Sequence, residues 1–339
     1  MPRVAVVILN WNGRKFLEKF LPLVIERSKD EAEVIIADNA SVDDSVAFLE
    51  KNYPEIRIIQ NETNGGFSKG YNDALAKVDA DYYVLLNSDI EVGEQWIEPI
   101  IDLMEQDHTI AACQPKILAY QEPARFEYAG AAGGYIDKYG YPFCRGRLFQ
   151  NLEEDKGQYD DVKEIFWATG ACMFVRAELY HKLDGLDEDF FAHMEEIDFC
   201  WRLKNKGFKI MYCPDSVIYH VGGGTLPKSS SRKTYLNFRN NTFLMYKNLP
   251  DRLLFRVFVA RYFLDAIAAL KFLAEGGFSD FVAVLKAHVH FWKNHAKFKK
   301  KRHKHHHDPV SMVYKGNIVF DYFLKGKKRF SDLDEENFS

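Results

Sequence analysis

The chain has 339 residues, of which 47% are hydrophobic and 15% aromatic, enough to bury a sizeable core in one large domain or two closely joined ones. A formal charge of −4 removes the basic balance that would argue for a nucleic-acid partner. The five cysteines (Cys113, Cys144, Cys172, Cys200, Cys213) form no C-x-x-C pair, which excludes a disulfide framework and leads to the expectation of a reduced, cytoplasmic setting.

The N-terminal MPRVAVVILNWNG has a single Arg before a short apolar run and lacks the length and cleavage region of a signal peptide, so the chain is expected to stay inside the cell. Over the first ninety residues, short apolar runs alternate with helical patterns: VAVVILN, RKFLEKFLPLVIERS, EVIIAD, SVDDSVAFLEKNY, IRIIQN, SKGYNDALAKV and YYVLLNSD. This reads as β-α-β-α-β-α-β. Continuous Val/Ile/Leu strands suit a sheet covered on both faces, and crossovers of helical length make neighbours parallel. The fold class is therefore α/β, with a Rossmann-like, mostly parallel sheet. Each strand ends in a polar cluster: Asn10–Gly13, Asp38–Ser41, Asn61–Gly66 and Asn87–Asp89. In open α/β sheets ligands sit beyond the carboxyl ends of the strands, so these clusters should face one crevice.

From about 110 to 220 the pattern loosens into aromatic and Gly-rich segments, with helical signals at RAELYHKL and EEIDFCWRLKNKG. Residues 228–247 read as a loop passing into a helix. After Pro250, a helical pattern runs to Gly276-Gly277, and a second helix spans about 278–295 before the tract KFKKKRHKHHHDP. Arg256, Arg261, Asp265 and Lys271 interrupt the most apolar late stretch, which excludes a spanning helix of roughly 18 uninterrupted apolar residues.

Asp89 closes an apolar strand and is a candidate ligand for a hard cation, Mg or Mn, that bridges a diphosphate; Asn-Ser-Asp is equally ordinary turn chemistry. Asp38 can accept from a base edge or ribose, or cap the following helix. NGGFSKGYN has neither the G-x-G-x-x-G nor the Walker spacing, so dinucleotide and P-loop enzymes are not supported. In GLDEDFFAHMEEID, Glu195 and Asp198 are three apart on one helix face while Glu196 turns elsewhere. One of these carboxylates can take a proton from an acceptor hydroxyl, or the cluster simply suits a helix N-terminus. His220 ends an apolar strand before Gly222–Gly224, where it can ligate a metal or merely be hydrogen-bonded.

Taken in order, VVILNWNG, IIADNAS, NGGFSKGYN, LLNSD, TGACMFVRAE, GLDEDFFAHMEEIDFCWRLKNKGF and the His220–Gly224 region resemble the family 2 glycosyltransferases, especially the bacterial rhamnosyltransferase-like members, over roughly residues 3–245. The resemblance implies a GT-A fold and a single-displacement, inverting reaction that uses a nucleoside-diphosphate-sugar donor with Mg or Mn. The donor would be a UDP- or dTDP-sugar, rhamnose among the candidates, and the acceptor a cell-surface glycan or polyprenyl-linked glycan. In this reading Ile8, Asn10 and Asp38 line the base and ribose site, and Asn64, Phe67 and Asn72 lie along the donor. Asn87-Ser88-Asp89 stands where the family has its D-x-D-like motif. Only its last position is acidic, so Asp89 carries the metal with help from His220. EEID stands where relatives have Glu-Asp-x-Asp, which puts the catalytic base at Glu196, with Glu195 the alternative. Asp198 and Arg202 would orient the base and the acceptor or diphosphate, and Thr169-Gly170 would shape the donor floor.

The expected division is a catalytic domain over 1–245, with a nucleotide-sugar half (1–100) and an acceptor half (101–245), followed by a helical extension over 246–339. Phe255, Phe258, Phe263, Phe291 and Trp292 beside basic residues allow peripheral contact with an anionic membrane, which would place the chain at the inner face of the plasma membrane. The alternative is a hairpin packed on the catalytic domain or on a second subunit in a homodimer. Two rival functions stand beside the enzyme: a catalytically silent module that binds glycan or nucleotide, and a nucleotidyltransferase, whose usual Gly-rich opening loop ILNWNG does not offer.

Overall fold

A computed structural model describes residues 3–222, 230–302 and 310–339. The opening alternation folds as β1 (Val4–Asn10), α1 (Arg14–Ser28), β2 (Glu33–Asp38), α2 (Ser45–Asn52), β3 (Arg57–Gln60), α3 (Gly66–Leu75) and β4 (Tyr82–Asn87). β1 pairs in parallel with β2 and β4, and β2 with β3, so that Val6 stands opposite Val34 on one side and Val84 on the other. Successive side chains feed opposite layers. Val4, Val6 and Ile8 pack with Leu17, Leu21 and Val24 of α1, while Ala5 and Val7 pack with Tyr71 and Leu75 of α3. With both faces covered, the strands are continuous apolar runs rather than alternating ones.

Beyond β4 come β5 (Ile90–Val92), α4 (Glu98–Gln106) and β6 (Ile110–Ala119). A small sheet then starts with β7 (Gly134–Asp137), β8 (Pro142–Cys144), β9 (Arg147–Leu148) and β10 (Asn151–Leu152). The chain returns as β11 (Lys163–Ile165), β12 (Cys172–Arg176), α5 (Ala177–Lys182), α6 (Glu195–Lys204) and β13 (Lys209–His220). The main sheet runs β11-β13-β6-β12-β4-β1-β2-β3, with β5 beside β13. It is parallel from β3 to β4 and mixed beyond, because β12 enters antiparallel to both β4 and β6.

The last part of the chain holds α7 (Ser231–Asn248), α8 (Asp251–Ala274), α9 (Phe278–Lys293), α10 (His295–Arg302), β14 (Val313–Tyr314) and α11 (Ile318–Phe323). α7 runs through residue 245, and α9 packs along it with α8 against α9. β14 pairs in parallel with β7, and Phe330 and Phe338 close on Tyr135 with ring centroids 5.0 and 5.2 Å away. Residues 310–339 thereby complete the small sheet, a long-range pairing of short strands with no local sequence signature. All five cysteines are buried and free. Among the described residues no helix is long and apolar enough to cross a membrane. The run His305–His307 lies outside the described residues.

Candidate active site

The polar loops at the carboxyl ends of β1, β2 and β3 are stitched to one another. Asn10 Nδ2 donates to Asp38 Oδ1 at 3.1 Å and to Ser41 Oγ at 3.2 Å, while Val42 N–H donates to Asn12 Oδ1 at 2.8 Å. Asn39 ties in the next loop: its Nδ2 donates to Asn64 Oδ1 and Gly66 O, both at 3.1 Å, and its Oδ1 accepts from Asn61 Nδ2 at 3.2 Å. Gly13 permits a close approach here, since a Cβ at this position would stand 2.3 Å from Asn10 Oδ1 and 3.3 Å from Ser88 Oγ. Asn10 Oδ1 is itself buried without a hydrogen-bond partner.

After β4, Asp89 Oδ1 lies 3.2 Å from His220 Nε2, and Glu127 Oε2 lies 3.1 Å from His220 Nδ1. Burial alone would lower the His220 pKa, but hydrogen bonds to Asp89 and Glu127 outweigh it and lift the value to about 10. Burial likewise works to raise Glu127, and His220 overrides it and holds that carboxyl below its ordinary value. The Asp89–His220 spacing of 3.2 Å is close to the roughly 3 Å between neighbouring ligands on an octahedral cation with bonds of about 2.1 Å. The pair therefore fits a Mg or Mn ion in place of the proton. Among the described residues no group of three His, Cys, Asp or Glu side chains converges as a ligand set, so phosphate and water would complete the sphere, as is usual for Mg. Gly223, Gly224 and Thr225, which follow this histidine, lie outside the described residues.

The segment Thr169–Ala171 links this corner to the start of α6. Asn87 N–H donates to Ala171 O at 2.9 Å. Gly170 leaves room for its neighbours, since a Cβ there would come 2.9 Å from Phe67 Cζ and 3.8 Å from Glu196 Cβ. Leading into α6, Phe191, His193 and Met194 have φ of 64°, 71° and 72°. That left-handed conformation costs a non-glycine residue on the order of 1 kcal/mol or more. α7 restrains it. Asn240 Nδ2 donates to the carbonyls of Phe190, Ala192 and His193 at 3.0, 2.8 and 2.7 Å, and Arg239 adds bonds to the carbonyls of Asp189 and Phe190 at 3.0 and 2.8 Å.

Within α6, Asp198 is fully buried and accepts from Arg202 Nε at 2.8 Å, Lys247 Nζ at 2.9 Å and Asn248 Nδ2 at 2.8 Å. Lys247 also donates to Asp187 at 2.5 Å, and the remaining Arg202 nitrogens donate to the carbonyls of Leu183 and Gly185 at 2.6 and 2.7 Å. Burial works to raise Asp198, but Lys247 and Arg202 keep it below its ordinary value. The two glutamates differ: one carboxyl oxygen of each is buried without a partner. Burial lifts the Glu196 pKa to about 7, and burial followed by the charge of Glu196 pushes Glu195 well up.

Of the residues named from sequence, Asn10, Asp38 and Asn64 lie in the stitched loops; Asn87, Ser88, Asp89 and His220 lie at the adjoining corner. Phe67, Thr169, Gly170 and Glu196 follow along the connecting segment. Ile8 sits in the core layer beneath α1. Asn72 donates to Leu186 O at 2.8 Å and accepts from Leu186 N–H at 3.0 Å and Tyr180 Oη at 2.7 Å, which pins the loop ahead of the acidic motif. Arg202, expected beside diphosphate or acceptor, is buried with its donors engaged by Asp198 and two carbonyls. Sequence reasoning missed Glu127, which comes from the motif-poor stretch after β6, and Arg239, Asn240, Lys247 and Asn248 of α7. A signal existed for α7: Asn240 and Lys247 are seven residues apart, two helical turns, and so share a face.

This architecture has counterparts among solved structures. GalNAc-T7 with UDP, GalNAc and Mn2+ aligns with a TM-score of 0.57 at 17% identity, over 74% of this chain and 49% of that one. The mannosyltransferase PcManGT from Pyrobaculum calidifontis, in complex with GDP-Man and Mn2+, aligns at 0.52 and 14% identity, over 89% and 84%. The fold is thus the GT-A type of nucleotide-sugar transferases. A family model described as Glycosyl transferase family 2 matches residues 5–184, and the chain belongs to that family of glycosyltransferases. It is similar to the N-acetylglucosaminyl-diphospho-decaprenol L-rhamnosyltransferase of Mycobacterium tuberculosis (strain CDC 1551 / Oshkosh), with 24% identity over 235 residues, 64% of this chain and 75% of that protein.

Lys247 donates to two buried carboxylates, so Lys247→Met should destabilise the fold by about 1.5–3 kcal/mol in urea unfolding: Asp198 keeps Arg202 and Asn248 and Asp187 keeps Lys301, but each loses one charged donor. Lys271→Met, at an exposed helical pair, should change stability by less than about 0.5 kcal/mol.

Proposed function

We propose that this glycosyltransferase moves a hexosyl group, rhamnose being the leading candidate, from a UDP- or dTDP-sugar to a hydroxyl of a polyprenyl-diphosphate-linked glycan, with inversion and with Glu196 as the base. One observation carries the assignment of the base: at the strained entry to α6, Glu196 is the less buried of the two glutamates, with an unpartnered carboxyl oxygen and a pKa raised to about 7. A base poised near the working pH combines a sizeable deprotonated fraction with useful basicity. Glu195 is only 4% exposed, and burial followed by the charge of Glu196 pushes its carboxyl well above the ordinary value.

In the transfer step the Glu196 carboxylate accepts the acceptor hydroxyl's proton as its oxygen forms the bond to the anomeric carbon. The bond from that carbon to the diphosphate oxygen breaks, and its electron pair leaves with the nucleoside diphosphate. Asp89 and His220 would hold a divalent cation, which when bound supplies positive charge for the leaving diphosphate. Asn10 and Asp38 in the stitched loops would meet the base and ribose. The mycobacterial relative, whose name gives a lipid-diphosphate-linked sugar as acceptor and rhamnose as the group transferred, supports this choice of substrates.

Calorimetric titration of UDP, dTDP and GDP should show Mn-dependent binding of one nucleotide, weakened at least about tenfold in Asp89→Ala. If the wild type binds none of them, the silent glycan-binding reading replaces this one.

Glu196→Gln should keep donor affinity and lose about 10²–10⁴-fold in transfer rate, with Glu195→Gln much less affected. Since the active form is deprotonated, the rate should fall about tenfold per pH unit below pH 7, the value to which Glu196 is raised. Full activity in Glu196→Gln would contradict the assignment.

A further inference from the structure

We infer that the outward face of α8 and α9 seats on an anionic lipid surface. α8 buries Val257, Ala269 and an ion pair and packs Phe258 on Phe291, yet it also exposes large apolar side chains on its outer face, unlike a helix with a polar outer face on a water-facing protein. Its inward face carries Arg261 and Asp265, an ion pair at 3.1 Å that is almost wholly buried, with His288 Nε2 3.3 Å from Asp265 and Asn241 accepting from Arg261 at the inner wall. Its outward face carries Phe255, Val259, Phe263 and Leu270, at 80, 54, 68 and 60% exposure. At 1.5 Å per residue this stripe is about 22 Å long, and no charged side chain is exposed along it between Arg256 and Lys271. α9, packed beside α8, extends it with Val289 and Trp292 at 53 and 60% exposure. An unbroken apolar face of this extent marks a contact surface.

Charge decides the occupant. Residues 251–302 hold eleven Lys and Arg against four Asp and Glu, in a chain whose formal total is −4. Exposed Arg256, Lys286 and Lys293 flank the stripe. A bilayer interface with anionic headgroups accepts apolar rings at the acyl boundary and basic side chains at the phosphates. A second copy of the chain would bring the same basic flanks against themselves, since a two-fold contact repeats one surface on both sides. The inference rests on this surface alone and is independent of the sugar, the base and the metal.

The full chain should sediment with phosphatidylcholine vesicles that contain phosphatidylglycerol, and much less with phosphatidylcholine alone or at high salt. Phe263→Ser/Trp292→Ser, with its circular dichroism and melting unchanged, should lower partitioning at least about tenfold, because the rings it removes are already exposed in the protein. Arg256→Gln/Lys286→Gln/Lys293→Gln should lose the preference for phosphatidylglycerol. Equal sedimentation of the ring variant and wild type would overturn the inference. So would a wild type that ignores vesicles but forms, by sedimentation velocity, a dimer that the ring variant abolishes, which would give the face to a second copy.

Discussion

Asp198 is a carboxylate with no exposed surface, and three donors from two helices converge on it: Arg202 from its own helix, and Lys247 and Asn248 from α7. A lone buried charge is costly, so this cluster forms only when α6, α7 and the Leu183–Asp187 loop are docked together. Docking in turn lets Asn240 hold the left-handed turn at Phe191–Met194, which sets the direction in which α6 begins. The two glutamates at that beginning receive none of these donors. One helix turn therefore contains an ionised, structural carboxylate and two carboxyls whose pKa values are driven up. The contrast between them is the chemical content of the motif.

The loops at the ends of the first strands rest on a different device. The ends of β1, β2 and β3 present Asn, Asp, Ser and Gly, and their side chains bond chiefly to one another and to loop backbone. This ties the loops to one another while leaving Asn10 Oδ1 unpaired.

The half of the molecule built from local pattern was readable in advance. Apolar runs at strand length, separated by helical spacing, yielded β1 to β4 with their helices, and the polar clusters fell at the carboxyl ends of those strands. Asp89 and His220, 131 residues apart, could be paired only through resemblance to a family; geometry then put them 3.2 Å apart and added Glu127. What stayed hidden was long-range. The small sheet uses strands of two to four residues and is closed by β14 from the far end of the chain, so no window contains both partners. Arg202 looked like a free cation beside an acidic motif because sequence cannot show that two carbonyls and Asp198 already surround it. The composition of α8 is legible, but that its ion pair faces inward while Phe255 and Phe263 face outward appears only once the helix is docked.

The reaction proposed for this enzyme is a direct, single displacement at the anomeric carbon, assisted by a carboxylate at the start of α6. Proton NMR of the freshly formed product, recorded before any equilibration, reads the anomeric configuration through its one-bond and vicinal couplings. Direct displacement gives the transferred sugar the configuration opposite to that in the donor. Retention would require a second displacement through another group, and would contradict the role given to Glu196.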